Sequence, residues 1–176
     1  VTTVALVYKL APQTATIGMG WVLVGLLVGG TAGTIIAIKV QMTKMPEMVA
    51  FMHSMIGLAA VFIAIAAVAE PLAFGIAETG RSIPVGNRIE LFIGAFVGAI
   101  TFSGSVIAFG KLSGRYKFRL FQGAPVTFSG QHLLNLALGI AMFAFGAWFA
   151  ATQQWLPFWL MLALAFVLAR LAANVG

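Results

Sequence analysis

A helix needs about 20 predominantly apolar residues to cross a hydrocarbon core, and the run from Met48 to Ala69 supplies them with a single ionisable side chain inside it, His53. Comparable apolar runs recur along the chain without the strict alternation that a transmembrane barrel requires. In lipid every backbone N–H and C=O must be satisfied internally, so helices are the form left. Composition agrees: 61% of the 176 residues are hydrophobic and 8% are charged, against about 25% charged in ordinary globular domains. Mean hydropathy is +1.05. The fold class expected is all-α, a polytopic helical membrane bundle. Five full transmembrane helices are placed at 17–39, 47–69, 87–110, 132–151 and 155–172.

Residues 1–11 are too short to span. They lack a starting methionine and read as the second half of a helix, a partial N-terminal one, with charge and apolar run in the wrong order for a signal peptide. With the abrupt stop at Asn174-Val-Gly176, the expectation is one transmembrane domain over 1–176 that belongs to a longer polypeptide.

The net charge of +6 would suggest nucleic acid in a soluble chain. Here the basic residues cluster at helix ends, where they report topology, and no nucleic-acid role is assigned. Lys39 and Lys44 flank 40–46, and Lys111, Arg115, Lys117 and Arg119 lie in 111–131. Arg170 closes the last helix. The positive-inside rule puts these three regions in the cytoplasm or its equivalent. On the opposite face, 12–16 and 152–154 carry no charge, and in 70–86 Arg81 and the nearby Arg88 are matched by Glu70 and Glu78. Trp21, Trp148, Trp155 and Trp159 fall towards the outer ends as interfacial anchors. Cysteine is absent, which excludes disulfides and thiol chemistry, and two histidines with four glutamates leave little for a metal.

An ionisable residue within a span is costly, so it generally faces a bundle interior or water and marks an ion path. Imidazole also exchanges protons near neutral pH, since its unperturbed pKa is about 6.5. The competing reading of His53 is a neutral histidine hydrogen-bonded between helices. Steps of three and four from His53 reach Gly57, Ala60, Ala64 and Ala67, all small. On the 87–110 helix the same stepping gives Glu90, Gly94, Gly98, Thr101 and Ser105. Gly94 with Gly98, and Gly25, Gly29 and Gly33 on the first helix, repeat the small-xxx-small spacing, whose ordinary meaning is helix packing. His53 and Ser105 fall at similar depth, with Glu90 some 22 Å away at 1.5 Å per residue. The route this predicts has an outer mouth at Glu90, a small-residue cleft and an inner gate at His53 and Ser105.

The segment Met42-Thr-Lys-Met-Pro-Glu-Met-Val-Ala50, then His53-Ser54 and Gly57-Leu-Ala-Ala-Val61, and then Gly98-Ala-Ile-Thr-Phe-Ser-Gly-Ser-Val-Ile-Ala-Phe-Gly-Lys-Leu112 resembles the membrane domain of the beta subunit of proton-translocating NAD(P) transhydrogenase. The resemblance covers most of 17–115. Beyond 116 it rests on hydropathy and order, and Gln122 to Gln131 matches no family motif. It implies an enzyme that transfers hydride between NADH and NADP⁺ in two soluble domains and couples this to proton movement through the membrane domain. The family's proton-channel histidine falls on His53, its glycine-serine pair on Gly104 and Ser105, and two family glutamates on Glu47 and Glu90, Glu47 being the expected coupling residue.

The family's further helices, one carrying an asparagine that partners the histidine, and its NADP(H)-binding domain have no counterpart in this sequence. No G-x-G-x-x-G follows a strand. The chain is therefore expected to bind no cofactor itself, NAD and NADP belonging to the complete enzyme. Its expected partners are the remaining membrane helices, the soluble NAD(H)- and NADP(H)-binding domains, the lipid bilayer and, for the complete enzyme, a second copy as a homodimer. The bacterial inner membrane is the expected location, ahead of the mitochondrial one. His132 is read as interfacial. A small-solute secondary transporter with a midplane site and a non-catalytic packing subunit are the alternatives.

Overall fold

The computed structural model describes residues 15–78, 82–114 and 130–172. Among the described residues five α-helices follow one another: α1 (Ala15–Lys39), α2 (Met45–Ala69), α3 (Val85–Ser113), α4 (Gln131–Thr152) and α5 (Trp155–Ala172). A 3₁₀ turn, Met42–Lys44, leads into α2. The expected partial helix over 1–11 and most of the basic connection 111–131 lie outside the described residues.

Local chemistry sets the boundaries. Pro46 sits in the first turn of α2, where its missing N–H costs nothing, and Glu47 follows at the positive end of the helix dipole. Pro71 stops α2, whose last bond runs from the Glu70 N–H to the Ala66 carbonyl. Gly114, at φ 59°, supplies the left-handed cap that ends α3. The α3 helix therefore outruns the apolar span expected at 87–110 and carries Lys111 within its last turn.

Four helical segments, Gly20–Lys39, Met42–Ala69, Val85–Ser113 and Gln131–Thr152, are long and apolar enough to cross a membrane. The fifth expected span is apolar but shorter, 18 residues in α5. Among the described residues four helices have the length and apolarity of a span, and α5 coincides with the fifth expected at 155–172.

The central element is α3, which packs against α2, α4 and α5. Antiparallel α4 and α5 are joined by Gln153 and Gln154, the former at φ 56°. The core is aromatic and small at once: Val61 and Ala64 of α2, Phe92, Ala95 and Ala99 of α3, Met142 and Phe149 of α4, Phe158, Met161 and Ala165 of α5. Lipid is as apolar as leucine, so close packing of small residues holds membrane helices together where water-driven burial cannot. Two glycines show this directly. Gly146 of α4 lies under the ring of Phe92, which occupies the space a β-carbon would fill. Gly57 of α2 and Gly98 of α3 meet backbone to backbone. By contrast, none of Gly20–Lys39 in α1 is buried, and its faces are apolar all round.

Candidate functional site

His53 lies in the third turn of α2, its Nδ1 3.0 Å from the carbonyl of Val49 one turn earlier. A carbonyl only accepts, so Nδ1 is the donor in this contact. The side chain is exposed to the surroundings of the bundle. Its neighbour Ser54 is the buried one, at 2% exposure, with Oγ donating to the Phe51 carbonyl at 2.6 Å. The row that α2 buries runs Ser54, Gly57, Val61, Ala64 and Val68. His53 stands one residue, about 100° of helix turn, to the side of Ser54.

That offset turns His53 towards α1. It lines an apolar cavity of about 420 Å³ with Gly33 and Ile36 from the end of α1, Val40 just after it, and Met45, Met52 and Ile56 from α2. The expected continuity between His53 and the small residues beyond it is therefore only partial. Gly57, Ala64 and Ala67 face α3, while the histidine sits at the margin of that face.

Glu90, in the second turn of α3, is exposed and lines a separate cavity of about 330 Å³. Its walls are Asn87 and Gly94 of α3 and Ala60, Ala64 and Ala67 of α2. Phe74 and Ile76, from the connection after α2, close its end. So the structure brings Glu90 together with the small residues of α2, as the stepping predicted, but in a different cavity from His53.

Between the two cavities is the helix crossing. A β-carbon at Gly57 would lie 2.7 Å from the Gly98 carbonyl oxygen, and one at Gly98 would lie 2.8 Å from the Gly57 carbonyl oxygen and 2.9 Å from the Ala60 β-carbon. Gly104 and Ser105, both half-buried, lie further along α3. Nothing stands within 4 Å of where a Gly104 β-carbon would be, so within these helices Gly104 is not the close-approach glycine. Glu47 is half-buried in the first turn of α2. Among the described residues no group of three metal-ligating side chains occurs.

Sequence reasoning missed Arg88. The charge pattern matches it with Glu70 and Glu78, yet it is buried at 9% exposure with its guanidinium on backbone carbonyls. Nε donates to Ile83 at 2.6 Å, and Nη1 to Ala150 at 2.8 Å and Ala151 at 3.2 Å. Gln153 completes the clasp, its Oε1 accepting from the Ile83 N–H at 3.0 Å. The signal available was an arginine one turn into an apolar helix, opposite an uncharged turn whose carbonyls needed donors.

The family model described as NAD(P) transhydrogenase beta subunit matches residues 1–176. The chain belongs to that family. It is similar to the NAD(P) transhydrogenase subunit beta of Rhodospirillum rubrum, 46% identical over 151 residues, which is 86% of this chain and 31% of the relative. The protein of the same name from a named strain of that species matches equally. The chain thus spans about a third of the length of these curated relatives. As a transhydrogenase beta-subunit sequence, it has the run 42–61 on the 3₁₀ turn and α2 and the run 98–112 on α3, the two helices that make the crossing.

Proposed function

We propose that this part of a transhydrogenase beta subunit carries protons across a membrane along α2 and α3, coupled to hydride transfer between NAD(H) and NADP(H) in separate soluble domains. His53 is the group that takes up and releases each proton. The observation that carries the reading is His53 itself, the one ionisable side chain between Glu47 and Glu70 on a helix long enough to span. A proton arrives at Nε2, the imidazolium keeps its Nδ1–H on Val49, and release returns the ring to its neutral form. Glu90 marks the far mouth, and Ser105 with the adjacent Gly104 lines the inner part of the path. Net transport requires two states in which His53 meets opposite sides, and the soluble domains shift that equilibrium only by binding the two states unequally.

The same reading places Glu47 at the coupling end, where its position beside Lys44 lets domain movement act on the field near His53. It includes α5 as a further span, the NAD and NADP of the complete enzyme on other domains, a homodimeric assembly and the bacterial inner membrane. The transporter alternative finds no support in the family match.

The test uses the complete enzyme in sealed vesicles. His53→Ala is expected to abolish proton uptake driven by hydride transfer, with the soluble domains still exchanging hydride in the uncoupled reaction. Glu47→Gln is expected to lower coupled turnover at matched expression. Full pumping by His53→Ala contradicts the proposal.

A further inference from the structure

We infer that the backbone contact between Gly57 and Gly98 is the seal of this pathway, the point at which water from the Glu90 cavity stops. The inference rests on the proton-path reading above and adds to it the place of closure.

The geometry is specific. The cavity that holds Glu90 reaches Ala60 and Gly94, the residues one turn to the outer side of Gly57 and Gly98. At the glycines the two backbones approach so closely that even a methyl group has no room, with the Gly98 carbonyl oxygen and the Phe102 N–H on one side and the Gly57 carbonyl oxygen on the other. A water needs more space than a methyl-sized gap that is already filled. His53 lies one turn beyond, about 6 Å along α2, and buried Ser54 is beside it. An approach from the Glu90 cavity therefore ends against packed backbone one turn short of His53, whose ring lies at the margin of this face, towards α1. The proton crosses only when α2 and α3 part at this contact. Two glycines suit such a gate because they form a tight seat without interlocking side chains.

The experiment uses cysteines introduced into the complete enzyme cleared of other reactive thiols; this chain contributes none. A membrane-impermeant thiol reagent is applied from the side of Glu90. Ala64→Cys and Gly94→Cys are expected to react, and Ser54→Cys to stay protected. Adding Gly98→Ala must wedge the helices apart, so Ser54→Cys becomes reactive and the vesicles lose an imposed proton gradient. If that variant does not assemble, Gly98→Ala with Ala60→Gly removes one obstructing carbon and should give the same changes in weaker form. Labelling of Ser54→Cys in the otherwise unaltered enzyme overturns the seal whatever the glycine variants do. So does a Gly98→Ala enzyme whose vesicles remain tight and whose Ser54→Cys remains protected. His53→Ala in the same vesicles separates the two ideas: normal pumping there sinks the pathway, whereas lost pumping with a tight Gly98→Ala sinks the seal alone.

Discussion

The guanidinium of Arg88, in the first turn of α3, donates through Nη1 to the carbonyl of Ala150 at the end of α4, 2.8 Å away. It joins elements 62 positions apart in the chain and places a cation on the negative end of a helix dipole. Arg88 and Gln153 together fix the approach to α3 against the α4–α5 turn.

Arg88→Met should therefore destabilise the protein by about 1–3 kcal/mol for each buried carbonyl left without a donor. Gln153→Ala, which removes one neutral hydrogen bond, should cost about 0.5–1.5 kcal/mol. Thermal unfolding of the purified enzyme in detergent ranks them. Equal unfolding temperatures for Arg88→Met and the parent would show that the clasp contributes nothing.

Gly146→Ala should be destabilising because the new methyl must displace the Phe92 ring. That ring is itself held by Phe96, at 5.1 Å between centroids, and Phe143, at 5.9 Å. Overpacking of this kind costs about 1–3 kcal/mol. Phe92→Leu in the same chain should return part of the loss, since residues in contact couple. Strict additivity of the two changes would argue against the contact.

Much of this was legible in the sequence because bilayer thickness dictates it. The spans expected at 17–39, 47–69, 87–110 and 132–151 correspond to α1 to α4, within the few residues by which helices outrun their apolar cores. Gly57 and Gly98 were both on the small-residue rows that the structure brings into contact. The face of His53 was not legible. Steps of three and four define a band rather than a line, and the neighbouring helices decided that Ser54, not His53, lies at its buried edge. Arg88 was hidden for a related reason: its partners are backbone carbonyls, which leave no mark in a side-chain pattern.

Gly104 gives a contrasting expectation to Gly57. An alanine at Gly104 meets open space between these helices, and replacing a helical glycine lowers backbone entropy cost by up to about 1 kcal/mol. Gly104→Ala should then be at least as stable as the parent, while Gly57→Ala should be less stable. Expression and unfolding temperature of the two variants decide it, and a marked loss at Gly104 would place another part of the enzyme against that glycine.

The proposed role of His53 is to link the proton gradient to hydride transfer, and linkage between binding steps is reciprocal. The most direct measurement is the rate of hydride transfer by the complete enzyme in sealed vesicles, with and without an imposed proton gradient, for parent and His53→Ala. The gradient is expected to accelerate the parent and to leave the variant unchanged, with uncoupled hydride exchange preserved in both. A His53→Ala enzyme that responds to the gradient as the parent does would contradict it.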